Sequence, residues 1–307
     1  MKGMRFLWSV VLGAVSAVTA AAAPAADVEY APANTDLIVL VNGEKLLKSK
    51  EFASLRATSD FRKVEGDMKN TLANYGMTMD DLLSTELLLF INTAKQRNPN
   101  FTLLARNRNG FARKMLAMTD GQFGDEVYRD LLKKDPVDGK EARVIREDGD
   151  TTAVIALEDD LIALLWNTEP VAAPVRAPGA KAAAALNTDA MVSIAFDNPD
   201  GISREMMMLL PQTVSPFLEG VIAAKADAMD VGDRLVVTAE LLYPDQEMAQ
   251  MAAGQFNGLI MMGQLALQKR NPEWVRILKR ARISVDDRKV RLVFKCRSAE
   301  LTKALLK

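Results

Sequence analysis

Histidine is absent from all 307 residues, and cysteine occurs once. Without histidine there is no Ser-His-Asp or Cys-His catalysis and no His-ligated zinc, and the commonest general base is missing. One cysteine excludes an intramolecular disulfide, a Cys₄ zinc site and ordinary iron–sulfur ligation. The sequence also lacks the glycine-rich phosphate and dinucleotide loops and the Gly-x-Ser-x-Gly turn of a hydrolase. Nothing in it calls for a cofactor or a metal. Aromatics are sparse at 6%. Trp274 and Phe294 stand alone in the basic C-terminal region, without the clustered rings on a strand that base stacking needs, so nucleic acid is not the expected partner. Carboxylate chemistry survives these exclusions, because a glycosidase needs only two acidic side chains across a cleft. Glu158-Asp159-Asp160 and Asp148-Gly149-Asp150 are the densest candidates, but both read more simply as solvated turns between strands.

What is present begins with a leader. Lys2 and Arg5 precede the apolar run Phe6–Ala21, and small residues follow to Ala25. That pattern predicts a cleaved secretory signal peptide over residues 1–25, hence a periplasmic or secreted protein. No transmembrane span is expected after cleavage. With 49% hydrophobic residues the remainder can build a sizeable core. Charge is uneven along it. Residues 269–307 hold 13 Lys/Arg against 4 Asp/Glu, a net +9, which makes Lys279, Arg280, Arg282, Lys289 and Arg291 a candidate anion-binding set. The competing reading is that they neutralise the acidic body of their own chain. Cys296 alternates with Val290, Leu292 and Phe294 and is expected to face the core.

Two pairs of stretches echo each other. Lys140–Leu157 and Lys279–Cys296 both open Lys-x-Ala-Arg and place an acidic pair at a turn, while Asn34-Thr35-Asp36 and Asn187-Thr188-Asp189 each lead into an apolar strand. The same order twice suggests tandem duplication. The expected fold is α+β: two similar units over 26–168 and 186–307, each a mostly antiparallel sheet covered by helices on one face. Residues 169–185, with three prolines and little bulk, read as the linker. Strands are expected at Leu37–Val41, Glu86–Asn92, Phe101–Asn107, Leu161–Asn167, Ala190–Phe196 and Leu235–Tyr243, with a short one at Ala226–Val231. Helices are expected over Glu44–Tyr75, Gly110–Met118, Asp125–Lys134, Ile202–Lys225, Pro244–Lys269, Glu273–Lys279 and Ser298–Leu306.

Met248–Gln268 contains no charged residue over 21 positions. Four Gln, one Asn and three Gly make it too polar for a lipid-bathed span, and a helix buried in the core is the primary expectation. Gly254 and Gly258 would allow close approach of another element, which leaves a homodimer open. With Met248, Met251, Met261 and Met262 they form a candidate apolar-ligand or interface surface; Met206-Met207-Met208 extends the methionine-rich character.

Ala31-Pro32-Ala33-Asn34-Thr35, the strand Leu37–Val41, and the helix bearing Leu46-Leu47 and Ser49-x-Glu51-Phe52 resemble a group of uncharacterised exported bacterial proteins with a duplicated α+β unit. The resemblance implies export and carries no catalytic residues. The expected function is therefore a non-catalytic exported binding or structural protein, its partner another protein or an envelope component. The alternatives are a carrier of a lipid or peptide in a methionine-rich pocket, and a carboxylate-dependent hydrolase.

Overall fold

Strand β1, Leu37–Asn42, is hydrogen-bonded on both edges and covered on both faces, which is why it is a nearly unbroken apolar run. Its neighbours are β2 (Glu86–Ile91) on one side and β8 (Val192–Asp197) on the other. In this computed structural model, residues 25–32, 35–92, 101–122, 132–147, 150–166, 171–176, 181–198, 200 and 218–305 are described. The remaining strands are β3 (Phe101–Arg106), β4 (Leu132–Lys133), β5 (Ala142–Glu147), β6 (Asp150–Glu158), β7 (Leu161–Trp166), β9 (Ala223–Val231), β10 (Arg234–Leu242), β11 (Arg282–Asp286) and β12 (Lys289–Arg297). All of them join one 12-stranded sheet in the order β11-β12-β10-β9-β8-β1-β2-β3-β7-β6-β5-β4.

The α+β class and the large antiparallel sheet are as expected. The division into two separate sheets is not, because β1 and β8 pair directly from Leu37↔Phe196 to Val41↔Val192. Nor do the echoing hairpins occupy equivalent places. Outward from that central pair the order is β9, β10, β12, β11 on one side and β2, β3, β7, β6, β5, β4 on the other. The hairpin at the place of β11–β12 is thus β6–β7, whereas the echo lies in β5–β6.

The expected helix over Glu44–Tyr75 is three helices: α1 (Gly43–Lys48), α2 (Lys50–Arg56) and α3 (Ser59–Asn74). Each break falls where a side chain can cap the next helix. Asn42 accepts from the Lys45 N–H at 2.7 Å, Ser49 from that of Phe52 at 3.2 Å, and Thr58 from that of Phe61 at 3.4 Å. The short α4 (Met79–Leu83) starts with a Thr78–Asp81 capping box. Then come α5 (Phe111–Gln122), α6 (Gln246–Leu267, capped by Asp245), α7 (Pro272–Leu278) and α8 (Ser298–Leu305).

One helix expectation fails, since Leu132–Lys133 is a strand paired to β5. The short strand expected at Ala226–Val231 is found as Ala223–Val231, its first three residues taken from the expected end of a helix. Alanine and lysine favour helix weakly, and full ladders to β8 and β10 outweigh that preference. Residues 1–24 of the leader, the Asp148-Gly149 turn, Met206-Met207-Met208 and most of the helices expected over 125–134 and 202–225 lie outside the described residues.

Helices pack on one face of the sheet. Val41, Leu87, Leu103 and Ile162 meet Leu46, Phe52, Phe61 and Leu116 there, with Phe52 and Phe61 edge-to-face at 5.5 Å. The opposite face of the first half buries Ile38, Leu40, Phe90, Leu104 and Ile155 beneath Tyr30 and Ala31. Ala173 and Ala182, from the stretch read as a linker, are packed into that same layer. Over β9–β12 this second face carries the exposed Lys289, Arg291 and Lys295 instead.

Candidate functional site

Helix α6 is buried only in its first half; its second half rests partly on α7, where Gly263 lies against Leu278. Ala249, Ala252 and Ala253 are buried, whereas Met251, Met261, Met262 and Leu265 are about three-fifths or more exposed (59%, 62%, 63% and 69%). The expectation of a helix buried through its length is therefore corrected: small alanines make the contact, and the bulky residues point outward. Among the described residues, a Cβ at Gly254 or Gly258 would meet nothing within 4 Å. Met248 is partly buried, its Cε 2.3 Å from the position a Gly220 Cβ would occupy. These six residues lie along one helix and line no described cavity.

The basic set is dispersed. Lys279 and Arg280 follow α7, Arg282 is on β11, and Lys289 and Arg291 are on β12. Arg280 forms a two-pronged ion pair with Glu300, and Lys289 and Arg291 lie 3.9 and 3.5 Å from Glu240. The chain thus partly neutralises this set itself. Among the described residues no group of three His, Cys, Asp or Glu is placed to hold a metal ion, and no helix is long and apolar enough to cross a membrane.

The acidic cluster after β6 is already engaged. Arg106 at the end of β3 makes a bidentate pair with Asp27 (2.6 and 2.8 Å) and contacts Glu158 at 3.0 Å and Asp160 at 2.7 Å. Tyr30 donates to Glu158, and Arg176 both pairs with Glu158 at 3.0 Å and lies over the Tyr30 ring. This network fastens the Ala25–Tyr30 turn and the 171–176 segment to the sheet. The hydrogen bonds that Arg106 donates to the Asp27 carboxylate hold its guanidinium above its ordinary range in spite of its burial. Beside it, burial and the Asp27 carboxylate push the Glu86 carboxyl up to about 8.

Elsewhere on the helix face there is an open space. A cavity of about 370 Å³ lies between α1–α2, α8 and the strands β8–β10, with Leu46, Phe52 and Leu55 on one wall and Leu301 on another. Its floor follows from register. Ala226 and Ala228 of β9 project between Val192 and Ile194 of β8 and Val237 and Ala239 of β10, so a row of methyl groups forms a trough between larger neighbours. The period-two alanines at 224, 226 and 228 were the available signal in the sequence.

One charged side chain faces this apolar space. Glu51, in the first turn of α2, is 7% exposed, and neither carboxylate oxygen has a hydrogen-bond partner among the described residues. The α2 cap is supplied by Ser49, so Glu51 is not needed there. Its charge is felt by its neighbours. Burial first, and then Glu51, raise the Asp230 carboxyl, and the same two causes push the buried Cys296 thiol up to about 11. That thiol packs with Ile277 and Leu301, facing the core as its alternation implied, and is a poor nucleophile there.

No family model and no curated protein matches the chain, so the resemblance carried by Ala31–Thr35 and the α1–α2 region acquires no named family. The chain has a low-level likeness to crystal structures of the Treponema protein TP0453. Form I aligns over 92% of this chain and 96% of that one, at 8% identity and a TM-score of 0.44. Form III gives 8% identity and 0.43 over 91% and 96%, and form IV 9% and 0.41 over 93% and 97%. Likeness at this level transfers neither family nor activity to this chain.

Proposed function

We propose that the chain is an exported, non-catalytic binding protein that carries an apolar ligand. The observation behind this reading is the cavity over β8–β10: its volume of about 370 Å³ falls in the range of small-molecule sites, and aliphatic and aromatic side chains dominate its walls. The carrier role was expected of the methionine helix, but the space belongs to the alanine trough. A carboxylate hydrolase gains no support from Glu158 and Asp160, whose charges are spent on Arg106.

The test is displacement of a polarity-sensitive apolar dye from the purified full chain by decanol, with native mass spectrometry for co-purifying apolar species. Ala228→Leu fills the trough and is expected to abolish dye binding. A wild-type chain that binds neither dye nor decanol, or a filled variant that binds like wild type, removes the proposal.

A second reading, a protein partner or a second copy seated against α6, is supported by the exposed stripe of Met251, Gly254, Gly258, Met261, Met262 and Leu265. Sedimentation of the full chain tests it: a monomer at all concentrations removes the homodimer.

A further inference from the structure

We infer that the cavity recognises an apolar chain ending in a cationic amine, with Glu51 as the residue that receives the amine head. This rests on the binding role proposed above and names the chemistry of its ligand. The argument begins with cost. An ionised carboxylate held in apolar surroundings without a donor is strongly unfavourable, and buried charges are ordinarily paired. Elsewhere this chain obeys that rule: the 2%-exposed side chain of Asp27 receives two hydrogen bonds from Arg106, and the buried Asp227 receives one from Ser193 at 2.7 Å. Glu51 alone among the buried Asp and Glu residues has both oxygens unmatched in the described structure; Asp227 also borders the cavity, but its carboxylate is held by Ser193.

The surroundings also select the ligand's other end. Besides Glu51 the polar lining residues are Ser49, engaged in capping α2, and Asp227, held by Ser193; Phe52, Leu55, Ile194, Val237 and Leu301 make the rest apolar, which suits an apolar tail. A carboxylate accepts hydrogen bonds and donates none, so an anionic head such as a fatty acid would be repelled and an alcohol would be weakly held. An ammonium supplies three donors and the opposite charge, and the bond it makes is of the strong, charge-assisted kind. The neutral alcohol remains a useful control because it tests the apolar space without the head group.

The experiment is calorimetric titration of the full chain at pH 7 with three probes of equal length, decylamine, decanol and decanoate, followed by the same titrations on Glu51→Gln. Decylamine is expected to bind wild type more tightly than decanol and to weaken in Glu51→Gln by roughly 10- to 100-fold, the range for a hydrogen bond to a charged group. Decanol should be indifferent to the substitution. If decanol and decylamine bind wild type equally well, or if decanoate binds best, the Glu51 assignment is overturned while the apolar cavity stands. If no probe binds, the carrier reading fails and this inference with it. The head-group comparison within wild type decides the matter even if the variant does not fold.

Discussion

Two charged side chains on opposite faces of the same sheet meet opposite fates. Arg106 is surrounded by Asp27, Glu158 and Asp160, each within hydrogen-bond distance, and its charge ties a terminal turn and a returning segment to the strand ends. Glu51 is as thoroughly removed from water and has no partner among the described residues. The difference separates scaffold from site. A charge that is compensated inside the fold belongs to its architecture; a charge left uncompensated beside an empty apolar space is kept at a cost to stability, which a ligand could offset.

The sharpest way to break this comparison is at Arg106. Arg106→Met should destabilise the chain by about 3–5 kcal/mol, because Asp27 would remain buried and unpaired. Urea denaturation reads this as a lowered midpoint at unchanged slope. A loss within the scatter of a surface substitution would show that the network does not hold the fold. Glu51→Met should move stability the other way, by about 1–4 kcal/mol upward, since an apolar side chain suits the cavity better than an unmatched carboxylate. Thermal unfolding of that variant is the measurement, and a marked loss of stability would mean that Glu51 has a structural partner.

A further prediction separates the two centres by pH. Glu86, beside the Arg106 network, keeps its proton in the fold up to about 8 against an ordinary 4.5. The folded state therefore binds a proton that the unfolded chain has released. Its contribution is full below the ordinary value and is lost as pH rises through the folded one. Relative to Glu86→Gln, wild-type stability should decline between pH 5 and 8.5 and then level off, as followed by melting temperature across that range. A difference between the two that stays flat with pH would show that Glu86 is ionised in the fold.

Much of the sheet was legible. The alternation of Leu235 to Tyr243 and the unbroken run of Leu37 to Val41 announced β10 and β1, and each sits where its pattern requires, with one strand half-buried and the other central. The alternation of Cys296 with Val290 and Leu292 likewise placed the thiol in the core. Strand β9 was legible only from Ala226 onward; Ala223–Lys225 signal helix by local preference, while the two long ladders are formed with partners distant in the chain. The direction of α6 was hidden too: an uncharged helix gives no hint of which side is covered, and here the alanine side is. Glu51 gave no signal at all, since an acidic residue in the first turn of a helix is ordinary.

The sequence by itself determined what chemistry is excluded, because a missing histidine or a second cysteine cannot be restored by folding. It also determined the main strands, because a period of two is a local property of the chain. Only the tertiary structure decided that both halves share one sheet, that the trough lies over β9, and that Glu51 faces it with no partner among the described residues. Those outcomes depend on register between strands far apart in sequence and on which helices close over them, and a linear pattern does not encode either until the chain has packed.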